Sequence, residues 1–159
     1  MLFRSLEELW LHAVAVATAT KAVAAKLRAG DPDEAFTAGL LHDVGRLVLA
    51  MRFREDYWRS IGGAGEIEPV ATLEAGHFGI DHAEVGGWIL EAWSLPPAIV
   101  EAVRLHHSEE SRAGVAGLLA TVDRLMAWTD LAAGTVRPEA EALLAKGGDR
   151  GLTDRKSVV

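Results

Sequence analysis

The segment FTAGLLHDVGRLVL, residues 36–49, decides how this chain folds. Its apolar residues have the spacing of a buried amphipathic helix, yet His42 and Asp43 stand side by side in its middle. Burying a carboxylate without a partner is costly, so a buried acid either becomes neutral or finds a counter-charge. A metal ion is one such counter-charge. The segment therefore predicts a buried helix and raises the question of a metal site.

The composition is that of a helical, globular protein. Half of the 159 residues are hydrophobic and 25% are charged, a balance typical of ordinary folded domains. Alanine and leucine dominate and β-branched runs are short, which favours helix. The length predicts one domain. The absence of cysteine excludes disulfides and thiolate metal sites.

The net charge of −7 argues against binding to DNA or to an anionic membrane. A phosphate-containing ligand would need local cations or a metal ion to attract it. A membrane span requires a run of about 18 apolar residues, and the sequence contains none. The N-terminal stretch MLFRSLEELW lacks the features of a signal peptide. We therefore expect a cytoplasmic protein.

Helical periodicity recurs along the chain and predicts an all-α bundle of about six or seven helices with no sheet. Asp31 before Pro32 is a start signal for the helix that carries the opening segment, and Asp81 is the expected cap of another. His77 is assigned to a loop. The candidate helical segments are 5–28, 32–51, 53–60, 70–75, 82–93, 97–107, 112–132 and 138–145.

Domain boundaries follow from the same patterns. Residues 1–146 are predicted to form the domain. The glycines of 61–65 predict a loop within it. The polar, glycine-containing stretch 147–159 has no amphipathic period and is predicted to be a flexible tail.

Five of the six histidines and three acidic residues are candidates for a metal site. Neutral imidazole and carboxylate groups suit zinc, iron, manganese or nickel, and a set without sulfur disfavours a structural zinc site. Glu8 and His12 are four residues apart, which places both side chains on one face of a helix. The candidates are Glu8, His12, His42, Asp43, His82, His106, His107 and Asp123.

Each candidate also has a purely structural interpretation. Adjacent histidines at a helix C-terminus complement the helix dipole, and an acid such as Asp123 in an apolar helix is usually solvated or salt-bridged. Glu8 beside Glu7 fits a surface position, and His82 after Asp81 fits a first-turn residue. Residue by residue, these alternatives remain open.

The joint pattern resembles the HD superfamily of metal-dependent phosphohydrolases, in which a helical His, a His-Asp pair and a later Asp bind metal. More narrowly, the chain is similar to the HDOD family, the HD-related output domain of bacterial signalling proteins. The resemblance runs from about Leu9 to Trp128, and the N-terminal half usual in that family is not part of it. The matching words are LWLHAVAVA, EAFTAGLLHDVGRLVL, EAGHFGIDHAEVG and WSLPPAIVEAVRLHH.

The related HD-GYP phosphodiesterases extend the comparison to all eight candidates, which match in order. HAEVG supplies their H-x-x-x-G word through His82 and Gly86. The Gly-Tyr-Pro that follows the double His in that family is missing, and LHHSEESRAGVAG stands there instead. That difference disfavours cyclic-dinucleotide hydrolysis, because the missing segment belongs to the substrate-side wall.

The resemblance implies a divalent transition metal, in a site for one or two ions. Asp43 would bridge two metals, which together activate water and stabilise the oxygens of a phosphodiester. Arg46 stands where HD-GYP proteins have a lysine and would either contact a phosphate oxygen or pair with a neighbouring acid. Asp43 and Arg46 are therefore the candidate catalytic residues. Gly39 and Gly45 are assigned to close packing of helices.

Two functions follow from these inferences. The first is a regulatory output module that binds metal and acts on a signalling protein partner or an upstream domain, with a nucleotide as a further candidate ligand. Trp58, Trp88 and Trp93 would suit a partner surface, although core packing explains such residues more often. The second is a metal-dependent phosphohydrolase acting on nucleotides or cyclic dinucleotides. The missing substrate-side segment favours the first function, and the full ligand set favours the second.

Overall fold

A computed structural model describes residues 6–61, 69–108 and 114–126, together with the pairs 129–130 and 135–136. This part of the chain is helical apart from one antiparallel pair of two-residue strands, β1 (Thr129–Asp130) and β2 (Thr135–Val136). The predicted all-α fold class is confirmed. The helices are α1 (Leu6–Leu27), α2 (Pro32–Leu41), α3 (Val44–Phe53), α4 (Glu55–Ile61), α5 (Val70–Phe78), α6 (His82–Ala92), α7 (Pro97–Leu105) and α8 (Gly114–Met126).

The helix predicted over 32–51 is wrong as a single element, because it divides at His42 and Asp43 into α2 and α3. The His42 ring nitrogen Nδ1 lies 2.7 Å from the carbonyl oxygen of Gly39. In an uninterrupted helix the backbone N–H of Asp43 would use that carbonyl. Asp43 itself has φ −98° and ψ 9°, outside the helical range. The His-Asp pair therefore occupies a break between helices.

Both predicted helix starts are confirmed. The Asp31 carboxylate accepts a hydrogen bond from the backbone N–H of Asp33 at 2.7 Å, with Pro32 at the first helical position. The Asp81 carboxylate accepts from the N–H of Glu84 at 2.9 Å. Side chains that satisfy these otherwise unpaired N–H groups fix where α2 and α6 begin.

Several other expectations need correction or stay untested. The helix predicted over 112–132 ends at Met126, and part of its expected C-terminal end belongs to β1, so the expectation of no sheet is also wrong. His77 lies on α5 and not in a loop, because that helix runs past its predicted end. The predicted helix 138–145, the tail 147–159 and most of the loop 61–65 lie outside the described residues.

Two buried clusters form the core. The larger one joins α1, α2, α6, α7 and α8 and includes Val16, Leu90, Val103 and Leu119. The smaller one is centred on Tyr57 and joins α3, α4, α5 and α6. Helix α6 contributes to both clusters, so its N-terminus is held from two sides. Among the described helices, none combines the length and apolar character needed to cross a bilayer.

Two glycines permit the close helix contacts that were predicted for them. A Cβ atom at Gly39 would lie 2.7 Å from the Cα of Ala17, so α2 packs directly on the backbone of α1. A Cβ atom at Gly45 would overlap the carbonyl oxygen of His82. The contact at Gly45 brings the start of α3 against the start of α6 and thus Asp43 towards His82.

We expect Gly45→Ala to lower the free energy of unfolding by about 1–3 kcal/mol or more, because the added methyl group must push α3 away from α6. Gly76→Ala is the matched control, since a Cβ there meets nothing within 4 Å. That control should leave stability unchanged or raise it by up to about 1 kcal/mol through better helix propensity. Urea denaturation measures both effects. Equal stability of the two variants would contradict the close α3–α6 contact.

Candidate metal centre

The structure brings seven of the eight predicted ligands together, and most of them lie at helix ends. His12 and Asp123 project from α1 and α8. His42 and Asp43 form the break between α2 and α3, and His82 is the first residue of α6. His106 and His107 follow the last turn of α7. The donor atoms fall into three overlapping groups, each within 4.8 Å: His82, His106 and His107; His12, His42 and Asp43; and His42, His106 and Asp123.

These side chains are unusually well buried for titratable groups. His12, His42, Asp43, His82 and His106 are each at most 6% exposed. Asp123 is partly exposed and His107 is exposed at the edge of the group. Buried histidines and carboxylates on this scale require partners to offset the loss of water. Of the two structural alternatives for Asp123, the structure shows the salt-bridged one, since Asp123 pairs with these histidines.

His42 and His106 are held in the same way. Nδ1 of His42 lies 2.7 Å from the Gly39 carbonyl oxygen, and Nδ1 of His106 lies 2.6 Å from that of Val103. A carbonyl oxygen can only accept, so Nδ1 carries the proton in both rings. In the neutral ring the lone pair is then on Nε2. Neither Nε2 atom has a hydrogen-bond partner within the described residues, although both are buried.

His82 is held by a carboxylate. Glu74, which is fully buried on α5, lies with Oε2 at 2.5 Å from Nδ1 of His82 and accepts the backbone N–H of His82 at 2.8 Å. The opposite nitrogen, Nε2, lies 3.1 Å from Oδ1 of Asp43 and 2.9 Å from Nε2 of His107. His82 therefore faces Asp43 and His107 with Nε2.

Asp43 lies at the centre of the charged groups. Its Oδ1 atom faces His82, and its Oδ2 atom lies 3.2 Å from the guanidinium of Arg46 and 3.7 Å from Nε2 of His42. Arg46 is itself buried and donates through Nε to the Tyr57 hydroxyl at 3.4 Å. Of the two roles left open for Arg46, the structure shows pairing with a neighbouring acid.

His12 on α1 and Asp123 on α8 complete the group. Nε2 of His12 lies 2.9 Å from Oδ1 of Asp123, and the same oxygen lies 3.5 Å from Nε2 of His42. The second distance is long for a hydrogen bond. His42 is thus flanked by two carboxylates, Asp43 and Asp123, without a close contact to either.

The electrostatics separate the histidines whose pKa is raised from those whose pKa is lowered. Burial disfavours the charged form of His82, but its hydrogen bonds with Asp43 and Glu74 outweigh burial and raise its pKa to about 9. The pKa of His42 is also raised, because the two flanking carboxylates outweigh burial. Burial and the neighbouring histidines instead hold the pKa of His106 well below its usual value. His106 is therefore a neutral imidazole.

The carboxylates are ionised. Burial alone would raise the pKa of Asp43, but the charges of His42 and Arg46 and the His82 hydrogen bond outweigh it, so this pKa lies well below its usual value. The hydrogen bond from His12 and the nearby His42 ring likewise outweigh burial and hold the pKa of Asp123 well below its usual value. The centre therefore combines two anionic oxygen donors with several imidazoles.

A cleft of about 700 Å³ opens on this group. Its lining combines Asp43, Arg46, His82, His106, His107 and Asp123 with apolar residues of α5 such as Val70 and Ala71. Arg124, next to Asp123 on α8, also lines it. A small anionic ligand could therefore reach both the histidine group and two arginines.

The donor set fits a divalent transition metal. Imidazole nitrogens and carboxylate oxygens bind such ions at about 2.0–2.2 Å, so donors within 4.8 Å of one another need only small rotations to share one ion. His42 and His106, whose Nε2 atoms have no hydrogen bond within the described residues, belong to one of these donor groups with Asp123. Glu8 is half-buried on α1 and belongs to none of the three groups.

Two residues of the site were not predicted from the sequence. Glu74 and Tyr57 are fully buried and hydrogen-bonded to each other at 2.6 Å. The available signal for Glu74 was a lone acid in the helical stretch VATLEAGHF, eight residues before His82. Tyr57 carried no such signal, because a tyrosine in an apolar helix is expected in any core.

We expect the metal-free protein to lose stability as the pH rises from about 6.5 to 9. His82 has a raised pKa, so its contribution to the free energy of unfolding is fully present below pH 6.5 and is lost as the pH passes its folded pKa of about 9. A shift of this size corresponds to about 3 kcal/mol, and His42 acts in the same direction. Urea denaturation with a chelator present, at pH 6 and pH 9.5, measures the loss.

His82→Gln should be less stable at pH 6 and show a weaker pH dependence over this interval. His77→Ala is the control, because this histidine is exposed on α5 outside the donor groups. An unchanged pH dependence in His82→Gln would contradict the pairing of His82 with Asp43 and Glu74.

Comparison with known proteins identifies relatives of this fold. The chain is 27% identical to a candidate phosphohydrolase from Shewanella amazonensis SB2B, with a TM-score of 0.67 over 77% of this chain and 46% of that one. It is 27% identical to an HDOD domain protein of unknown function from Geobacter sulfurreducens, with a TM-score of 0.66 over 74% of this chain and 41% of that one.

A third similar structure is a fragment of the MmoQ response regulator of Methylococcus capsulatus str. Bath. It is 33% identical, with a TM-score of 0.61 over 91% of this chain and 57% of that one. The chain thus spans about half the length of these solved structures. The sequence model of the HDOD domain matches residues 2–109, which is more than half of the chain. The chain therefore belongs to the HDOD domain family.

Proposed function

We propose that this chain is a regulatory output module of bacterial signal transduction that binds a divalent transition metal at the histidine–aspartate centre. One observation carries the metal: Nε2 of His42 and Nε2 of His106 are buried without a hydrogen-bond partner in the described residues and share a donor group with Asp123. Leaving buried ring nitrogens without a hydrogen bond is costly in a protein core. An ion bound between them removes that cost.

The chemical class of the ion follows from the donors. Imidazole suits zinc, iron and nickel, and carboxylate oxygen also suits manganese. Asp43 has Oδ1 at 3.1 Å from Nε2 of His82 and Oδ2 at 3.7 Å from Nε2 of His42, so its two oxygens face different histidines. This supports one or two bound ions, with Asp43 as the shared ligand in the second case.

A regulatory role is supported by the proteins that are similar to this chain. One similar structure is a response regulator, and HDOD domains are the family to which the chain belongs. Trp58, Trp88 and Trp93 are each more than 40% exposed, and large exposed aromatic side chains are common at protein interfaces. We propose a signalling protein or a further domain as the partner, and a cytoplasmic location.

A metal-dependent phosphohydrolase is the second candidate function. It is favoured by the cleft, which places Arg46 and Arg124 beside the metal donors. Two such guanidinium groups would attract the phosphate of a nucleotide against the negative charge of the chain. In this function Asp43 would hold the metal that activates the attacking water. Arg46 would have to exchange its contact with Asp43 for one with phosphate.

We expect purified protein to contain stoichiometric transition metal and His106→Ala to lose it, because this change deletes a buried donor with no other partner in the described residues. Asp43→Ala should lose metal as well. His77→Ala should retain it, since His77 lies outside the donor groups. Plasma mass spectrometry measures the content. Metal-free wild type after anaerobic reconstitution with iron would overturn the proposed metal site.

The two functions differ in turnover. The regulatory function predicts no hydrolysis of bis(p-nitrophenyl) phosphate or of cyclic dinucleotides with added manganese or iron. The phosphohydrolase predicts hydrolysis that disappears in Asp43→Ala and falls in Arg46→Ala, while His77→Ala stays active. Metal-dependent hydrolysis with this pattern would replace the regulatory function with the enzymatic one.

A further inference from the structure

Glu74 is the one fully buried acid among the described residues, and it belongs to none of the three donor groups. Its carboxylate accepts three hydrogen bonds. The Tyr57 hydroxyl donates to Oε1 at 2.6 Å, and both the backbone N–H and the Nδ1 side of His82 meet Oε2, at 2.8 and 2.5 Å. Two of these three hydrogen bonds are thus made with His82.

We propose that Glu74 is a positioning residue, which fixes the proton of His82 on Nδ1 and thereby presents Nε2 to the metal. This inference rests on the proposed function, because it concerns the same centre. A histidine ligand generally donates its second ring N–H to a carboxylate, a carbonyl or water, and this contact sets the ring orientation and raises its basicity. Glu74 makes that contact for His82.

The position of His82 explains why a carboxylate is needed there. His42 and His106 follow helix C-termini and find backbone carbonyls within their own last turns. His82 begins α6, where the backbone offers unpaired N–H groups and no free carbonyl. An acceptor from another helix must therefore hold its ring. Glu74 of α5 supplies one, and it also satisfies the first N–H of α6.

Glu74 is itself fixed by a closed ring of contacts. Arg46 connects Asp43 to Tyr57, Tyr57 donates to Glu74, and Glu74 holds His82, whose Nε2 returns to Asp43. The ring contains two carboxylates, a guanidinium and an imidazole, so the charges offset one another in the buried site. Rotation of His82 away from the centre would break this ring at two contacts.

The test is the zinc affinity of matched variants, measured by competition with a chromophoric chelator. Glu74→Ala should bind zinc about 10–100-fold more weakly than wild type, the usual effect of removing such a support. Glu74→Gln should lie between them, because its amide oxygen can still accept from His82 while the charge is lost. Tyr57→Phe should have a smaller effect than Glu74→Ala, since it removes only the contact at Oε1.

Glu101→Gln is the surface control, because this acid is exposed on α7. It should bind zinc as wild type does. If Glu74→Ala does not fold, Glu74→Gln decides: weaker binding than Glu101→Gln supports the inference, and equal binding overturns it. Wild-type affinity in a folded Glu74→Ala also overturns it.

Long-range ¹H–¹⁵N spectra give a readout that loss of stability would not move. In the zinc-loaded protein we expect a protonated Nδ1 and a coordinated Nε2 for His82, and a change of this pattern in Glu74→Ala but not in Tyr57→Phe. If wild type binds no zinc, the proposed metal site fails, and the metal-free spectrum still tests the positioning. A hydrogen-bonded Nδ1 proton lost in Glu74→Ala supports it, and an unchanged proton overturns it.

Discussion

The buried carboxylate of Asp43 is the constraint on which the site depends. An isolated ionised carboxylate in a protein core costs several kcal/mol, so positive or hydrogen-bonding groups have to surround it. Three do so: His42 before it in the chain, Arg46 one turn later and His82 from α6. Gly45 allows this because it lets the start of α3 rest on the start of α6. The close packing of α3 on α6 therefore brings Asp43 to the position where its positive and hydrogen-bonding partners lie.

The candidate ligands gain rigidity from the helix ends on which most of them lie. Nδ1 of His42 and Nδ1 of His106 each donate to a backbone carbonyl oxygen three residues earlier. The last turn of each helix therefore also orients the imidazole that follows it. No additional side chain is needed for those two rings. A histidine at a helix N-terminus has no such acceptor, and the chain meets this need at His82 with Glu74 from a neighbouring helix. Helix polarity therefore determines which kind of group supports each ring.

Much of this arrangement could be predicted from the sequence. Apolar periodicity and the caps Asp31 and Asp81 indicated the helices, and the order of histidines and acids indicated seven donors that do come together. The break between α2 and α3 could not be predicted, because the apolar period continues through it and the Gly39 carbonyl accepts from the His42 side chain, a contact that periodicity does not indicate. Glu74 was missed because its hydrogen bonds to Tyr57 and His82 join different helices, and no spacing within one helix indicates them.

The ion pairs also bear on what a metal would change. Asp43 and Asp123 already have cationic or hydrogen-bonding partners in the protein alone, and His82 is held between two carboxylates. Most of the buried charge is therefore satisfied without an ion, and the two core clusters do not include these side chains. What a metal adds is concentrated at the Nε2 atoms of His42 and His106, which have no hydrogen-bond partner within the part of the chain that the structure describes. Metal binding would then replace contacts among these side chains by contacts to the ion. The site itself would already be formed, because the helices that carry these side chains pack through other residues.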